Sequence, residues 1–204
     1  MLEKDKISIS YGNSKMGRIA SVSLPAIITC RKECPCFKKC YAAKIERLRP
    51  NVKAAYLRNW EILKRDPELY WWQVEAEIMT QAFFRFHVSG DIPDRSYFEK
   101  MVEVSERRRR CEILCFTKKF EIVNQFITDG GEIPQNLHMT LSPWKGLAME
   151  NPYCLPEAHV RYKDGTTTAR PDAKVCNGNC AGCARAAVNC WVLKRGEQIV
   201  VDEH

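Results

Sequence analysis

The chain has 204 residues, of which 45% are hydrophobic and 28% charged, with a net charge of +7. This is an ordinary globular balance, and a chain of this length can bury a full core without cross-links, so its 11 cysteines are not required as staples. No apolar run approaches the ~18–20 residues of a membrane span, and the charged start Met1-Leu2-Glu3-Lys4-Asp5-Lys6 has no apolar stretch after it. A cytoplasmic, thiol-reducing setting with no membrane partner is therefore expected, where clustered cysteines read as metal ligands before disulfides. The positive charge permits nucleic acid as a partner without requiring it.

In chain order, Ile7-Ser8-Ile9-Ser10 alternates like a strand, and Val22-Ser23-Leu24 reads as another. A proline-containing cysteine loop follows over residues 30–40. From Tyr41 to about Leu63 the pattern is helical, with Val52, Tyr56, Trp60 and Leu63 on one face. Asp66 caps a further helix begun by Pro67, whose Tyr70, Trp71, Val74 and Ile78 read as core. Phe83 to Ser89 reads as a buried strand, Gly90 to Asp94 as a turn, and Asp94 as the cap of a helix through Val104. Arg107-Arg108-Arg109-Arg110 is either the solvated end of that helix, where cations suit the dipole, or a phosphate-binding patch. Ile113–Thr117 is a strand, Glu121–Thr128 a helix closed by Gly130-Gly131, and Leu137–Ser142 a third strand.

This alternation predicts an α/β protein whose parallel sheet forms a partial (β/α) barrel over residues 1–150. After Asn151 the pattern fails, and residues 160–175 read as a polar linker. Residues 151–204 are expected to form a cysteine-rich C-terminal segment with a second metal centre, and Ile199-Val200-Val201 to add a closing strand. In such folds the site lies at the carboxyl ends of the strands. That places Ser89-Gly90-Asp91, Thr117-Lys118-Lys119 and Ser142-Pro143-Trp144 around it. His87 is either a ligand or base at a strand end or a hydrogen-bonded core residue. Lys118 and Lys119 face either an anion or solvent. Cys111, Cys115 and Cys154 read as small buried apolar residues.

The chemistry is concentrated in two groups of cysteines. The first is Cys30-Arg31-Lys32-Glu33-Cys34-Pro35-Cys36-Phe37-Lys38-Lys39-Cys40. Thiolates this close in sequence can converge without help from distant parts of a fold. Cys34 and Cys36 flank Pro35 and are expected to point apart, leaving Cys30, Cys36 and Cys40 as a three-thiolate set. Three thiolates would leave one iron of a [4Fe–4S] cluster free to bind substrate or cofactor; a fourth would make a closed zinc site. The second group is Cys176-Asn177-Gly178-Asn179-Cys180-Ala181-Gly182-Cys183, closed by Cys190. Its four thiols suit either a [4Fe–4S] cluster or a zinc knuckle, and Trp191 would shield either from water. No phosphate loop, catalytic Ser-His-Asp set or paired carboxylates stand out.

The chain resembles the phage gene-product-88 family along nearly its whole length. The resemblance is carried by Lys15-Met16-Gly17, Ser23-Leu24-Pro25, Thr29-Cys30, the run Cys36 to Ala42, His87 to Pro93, and Cys115 to Lys119. Gly178-Asn179-Cys180 and Cys190-Trp191 complete it. It implies a viral protein acting in a host cytoplasm, and a dispensable Cys34. A looser resemblance is to radical S-adenosylmethionine (radical-SAM) enzymes, whose order of a three-cysteine loop, a Gly-Gly-Glu strand end and a Thr-containing turn is similar to Cys30/Cys36/Cys40, Ser89-Gly90-Asp91 and Phe116-Thr117-Lys118. Ser142 lies where that family's next strand commonly carries a serine. The likeness implies an S-adenosylmethionine site formed by Ser89, Gly90, Asp91, Thr117 and Ser142, with Asp91 toward the methionyl ammonium. It also implies an auxiliary C-terminal cluster and a need for an electron donor. Candidate catalytic residues are then Asp91, His87 and Lys118, acting on an unknown substrate. The departures are the cysteine spacing, the short chain and Asp91 in place of glutamate. The alternative from another class is a non-catalytic zinc module that binds nucleic acid or protein.

Overall fold

A computed structural model describes residues 5–203. Met1–Lys4, the start of the segment read as lacking a signal, and His204 lie outside the described residues. Two short strands, β1 (Ile9–Ser10) and β2 (Ala20–Val22), precede a one-turn helix α1 (Ala26–Thr29). The cysteine loop contains a 3₁₀ turn over Pro35–Lys39. Then come α2 (Tyr41–Leu48), α3 (Pro50–Arg65), α4 (Pro67–Met79), β3 (Phe83–Phe86), α5 (Arg95–Arg107), β4 (Glu112–Thr117), α6 (Phe120–Thr128) and β5 (Leu137–Leu141). The remainder holds β6 (Glu157–Arg161), β7 (Lys174–Val175), α7 (Cys180–Ala186) and β8 (Gln198–Asp202). No described helix is long and apolar enough to cross a membrane.

Local chemistry sets most of these boundaries. Asp66 and Asp94 each cap a helix, accepting from Leu69 N and Tyr97 N at 2.9 Å. The helix expected to run unbroken from Tyr41 to Leu63 is divided at Arg49. Pro50 excludes the residue before it from the helical region, and Arg49 sits at φ −129°, ψ 87°. Pro50 then serves as the first residue of α3, where its missing N–H costs nothing.

The sheet has eight strands in the order β1-β2-β3-β4-β5-β6-β8-β7. All neighbours are parallel except β1 and β2. It is open: the expected partial barrel resolves to a mostly parallel sheet that does not close. One face carries the main core, with Phe84, Phe86, Ile113 and Cys115 packed against Tyr70, Val74, Phe98, Met101 and Val123. Alternation along the strands sends Leu114 and Phe116 to the opposite face. There they meet Met16, Ile19, Cys183, Ala184 and Trp191. The second cysteine group is thus packed across the sheet, away from most of the helices.

Two expectations fail in the last quarter of the chain. Glu157-Ala158-His159-Val160-Arg161, partly assigned to a linker, is β6, in register with β8 from Glu157↔Gln198 to Arg161↔Asp202. Its polar inward groups hid it, and they are satisfied locally. Glu157 Oε2 pairs with His159 Nε2 at 2.8 Å and accepts from Gln198 Nε2 at 2.6 Å, while Asn151 Nδ2 donates to Glu157 Oε1 at 2.8 Å. The boundary drawn at residue 150 therefore falls between two neighbouring strands of one sheet. Cys154, read as buried, is exposed, with φ at +52° in a loop, whereas Cys111 and Cys115 are buried.

Gly90 is the residue on which the site end of the sheet depends most sterically. Its φ is +81°, and a Cβ there would lie 2.5 Å from the Leu24 carbonyl oxygen and 2.7 Å from Thr29 Oγ1. Gly90→Ala should cost ~2–4 kcal/mol, from a left-handed conformation plus a backbone clash. Urea denaturation should show a lowered midpoint with an unchanged slope; a wild-type midpoint would contradict this packing.

A candidate thiol-lined site

A cavity of about 230 Å³ opens at the carboxyl ends of β3, β4 and β5. All seven cysteines predicted as ligands line it: Cys30, Cys36 and Cys40 from the first group, and Cys176, Cys180, Cys183 and Cys190 from the second. His87, Ser89, Gly90, Asp91, Thr117, Lys118 and Ser142 line it too, while Lys119 and Cys34 do not. Two groups some 140 residues apart in the sequence thus border one space. All of the cysteines are free thiols.

The first group is held by a carboxylate that sequence reading missed. Glu46, on α2 and only 4% exposed, accepts from Ala26 N at 2.8 Å and from Ser89 Oγ at 2.9 Å. It fastens the helix that follows Cys40 to both α1 and the end of β3. Nothing in the pattern of α2 distinguishes this glutamate from a solvated one. Cys34 and Cys36 do not point apart: their sulfurs are 2.8 Å apart. Pro35 starts a 3₁₀ turn, and side chains two apart in a tight turn no longer alternate as they do in an extended chain. Their shared hydrogen bond lowers Cys34 to about 7 and raises Cys36. Burial is the main cause that raises Cys30.

Asp91 is buried and heavily used. Its Oδ1 accepts from Thr117 Oγ1 at 2.6 Å and Ile92 N at 2.8 Å, and its Oδ2 accepts from Lys118 N at 2.9 Å. Its own N–H donates to Thr29 Oγ1 at 3.0 Å. Desolvation raises its pKa despite these bonds. With two lone pairs per oxygen, one acceptor position on Oδ2 is left by these bonds. Lys118 Nζ donates to Ser142 Oγ at 2.8 Å and lies 5.6 Å from the centre of the Trp144 ring. The three strand-end segments named from the sequence therefore meet at Asp91 and Lys118.

Arg85 and His87 reach the cavity from β3 and the turn after it. Arg85 lies 5.0 Å from the centre of the Phe116 ring, and its Nε is buried without a hydrogen-bond partner. His87 adopts φ +59°, shares a 3.1 Å hydrogen bond between Nε2 and Tyr97 Oη, and leaves Nδ1 buried and unpartnered. Sequence alone could have flagged Arg85, a lone cation inside the otherwise aromatic run Phe83-Phe84-Arg85-Phe86.

The second group is dressed with hydrogen bonds to sulfur. Gly178 N donates to Cys176 Sγ at 3.4 Å, and Asn189 Nδ2 donates to Cys183 Sγ at 3.2 Å. Asn179 caps α7 by accepting from Gly182 N at 2.9 Å. Trp191 is buried and packs edge-on against Phe83 with ring centres 5.4 Å apart, walling this side. Burial raises Cys190 to about 12, the neighbouring Cys176, Cys180 and Cys183 add to it, and Arg85 opposes it.

These residues fit a thiolate-held centre in kind: free thiols, N–H donors aimed at sulfur, and cations on the same wall. Among the described residues, no three His, Cys, Asp or Glu side chains meet closely enough to hold a single metal ion. The family model of gene product 88 matches residues 2–174. The chain belongs to the gene product 88 family. The match takes in the first cysteine group and every strand-end segment of the site, and stops just before Cys176. No curated protein and no solved structure matches the chain.

Burial, with Arg85 adding to it, depresses His87 from 6.5 to about 3 in the folded chain. Because unfolding lets this imidazole take up a proton, folding stability should fall as pH drops from about 6.5 towards 3. For one proton the slope is ~1.4 kcal/mol per pH unit. His87→Asn, which tolerates the left-handed backbone, should lose that share of the slope in denaturation curves taken from pH 7 to pH 4. Parallel curves for the two proteins would mean that His87 already carries its proton.

Proposed function

We propose that this family member is an iron–sulfur protein with radical-SAM-like redox chemistry on a substrate still to be identified. The observation that carries the reading is the single cavity that joins the two thiol groups to Ser89-Gly90-Asp91 at the ends of parallel strands. Cys30, Cys36 and Cys40 would hold an open-site [4Fe–4S] cluster, and Cys176, Cys180, Cys183 and Cys190 an auxiliary one. A single zinc ion draws four sulfurs to within ~3.8 Å of one another, given Zn–S bonds of ~2.3 Å in a tetrahedron. A cubane spreads its thiolates over different irons, which suits sulfurs that share a wall without meeting at one point. When reduced, an open-site cluster supplies one electron to a sulfonium, cleaving one carbon–sulfur bond to leave a thioether and a carbon radical.

The chain's own groups have defined tasks in this reading. Cys34, buried outside the cavity, stays out of the ligand set. Asp91 offers its remaining acceptor position to the cofactor's ammonium, with Thr117 and Lys118 N fixing the carboxylate. Lys118 and Ser142 line the neighbouring wall and orient polar groups of a substrate. His87, uncharged when buried, presents Nδ1 as an acceptor. Trp191 excludes water from the auxiliary side.

Anaerobically purified protein should be brown, absorb near 400 nm, and contain iron and sulfide. Cys36→Ala and Cys40→Ala should each lose the first centre, and Cys34→Ala should keep it. Iron lost from Cys34→Ala but retained in Cys36→Ala would overturn the ligand set. A colourless protein containing zinc and no sulfide would replace the redox reading with that of a non-catalytic zinc module.

S-adenosylmethionine should change the electron paramagnetic resonance spectrum of the reduced protein. Asp91→Asn should weaken that response roughly ten-fold or more, as expected for a charge-assisted hydrogen bond. A reduced wild-type protein whose spectrum ignores saturating S-adenosylmethionine would rule out the enzyme reading.

A further inference from the structure

Phe37, Lys39 and Cys40 form a wall with two sides. Their inner side lines the thiol cavity, and their outer side borders a groove of about 610 Å³ along α2 and the first turn of α3. Five cations line this groove: Lys38, Lys39, Lys44, Arg47 and Lys53. All five are exposed. Some cations elsewhere are matched, as Arg65 is by Asp5, Arg95 by Glu99 and Asp129, and Arg107 and Arg108 by Glu75. Among the described residues none of the groove cations has an ion-pair or side-chain hydrogen-bond partner. The groove's one acid, Glu46, is buried and committed to Ala26 and Ser89. The positive charge here is uncompensated, and it runs along an edge whose residues Phe37, Lys39 and Cys40 also line the cavity.

We infer that the groove binds the backbone of a single-stranded nucleic acid and delivers one base into the thiol-lined cavity. A row of cations without interspersed acids matches a polyanion of regular charge spacing, whereas an acidic protein surface presents its charges among neutral and basic groups. Phe37 and Ile27 give the groove an apolar floor. The cavity beyond is lined by Tyr41, Phe116, Trp144 and Trp191, rings on which a base can stack. At about 230 Å³ it is too small for a paired helix, so the strand must arrive unpaired. The inference rests on the proposed redox reading only in casting the bound strand as the substrate; binding itself needs no cluster.

The test is fluorescence anisotropy with labelled single-stranded RNA and DNA of about twelve nucleotides, a length within the usual site sizes. The matching duplex and a polyglutamate of equal charge serve as competitors. Single strands should bind, with log K falling against log salt at a slope of about −3.5 if all five cations neutralise phosphates. Lys44→Ala/Lys53→Ala removes two of them from exposed positions, so the slope should relax to about −2 and affinity at moderate salt should fall roughly ten-fold or more. A melting temperature equal to wild type confirms that the variant is folded. Photocrosslinking of a strand carrying one 5-bromouridine should map to Phe37–Tyr41, Trp144 or Trp191. A slope unchanged in the double variant, no binding of single strands at low salt, or equal competition by duplex or polyglutamate would overturn the inference. Iron analysis separates the two proposals: a colourless protein that still binds strands loses the redox reading alone, and a brown protein that does not bind them loses the groove alone.

Discussion

The bonds converging on the Asp91 carboxylate decide the shape of the site. Thr117 and Lys118 N reach it from the end of β4, and its own amide reaches back to Thr29, one residue before Cys30. The same turn is tied to α2 through Ser89 and Glu46, and Leu24 N donates to Ser89 O at 3.1 Å. One buried acid thus sets the distance between two strand ends and the base of the cysteine loop. Losing it would leave buried donors unpaired, which costs more than the bonds themselves contribute. The raised pKa shows that desolvation outweighs the hydrogen bonds, so this carboxylate is held at some expense in stability.

Charge on the cavity wall works against that burial. Lys15, Arg31, Lys39, Arg85 and Lys118 line a space whose thiols are largely pushed toward their protonated forms. A thiol must lose its proton before it can ligate, so a wall of cations reduces the cost of collecting several thiolates in one place. Lys118 lowers Cys30, Cys34 and Cys36, and Arg85 lowers Cys180 and Cys190. Each cysteine group therefore has a cation of its own, supplied by a different strand.

Much of this was legible where one local rule dominates. Asp66-Pro67 and Asp94 mark helix starts by capping chemistry alone, and the runs that became β3, β4 and β5 are apolar enough to admit no other reading. The grouping of the seven cysteines into two sets followed from residue type and spacing, but the convergence of both sets on one cavity did not. That depends on the C-terminal segment crossing the sheet, a long-range fact. β6 was missed because Glu157 and His159 satisfy each other and Gln198 inside the fold, which makes a buried strand look like a polar loop. Glu46 and the contact between Cys34 and Cys36 were missed for the same kind of reason: each is fixed by a partner or a turn that local pattern does not encode. The openness of the sheet was likewise out of reach, since closure is a matter of strand tilt and register around the whole layer.

The position of the second cysteine group has a consequence for how the molecule is finished. Cys183, Ala184 and Trp191 cover Leu114 and Phe116 on the sheet face opposite the main core. α7 has only seven residues and the strand beside it only two, so this cover has little secondary structure to hold it. The packing of these few side chains seals an apolar surface. The fit of this thin cover and the disappearance of a sticky face are then one event, and a chain whose last quarter came loose would be recognised by the cell as unfinished, through the exposed side chains of Leu114 and Phe116.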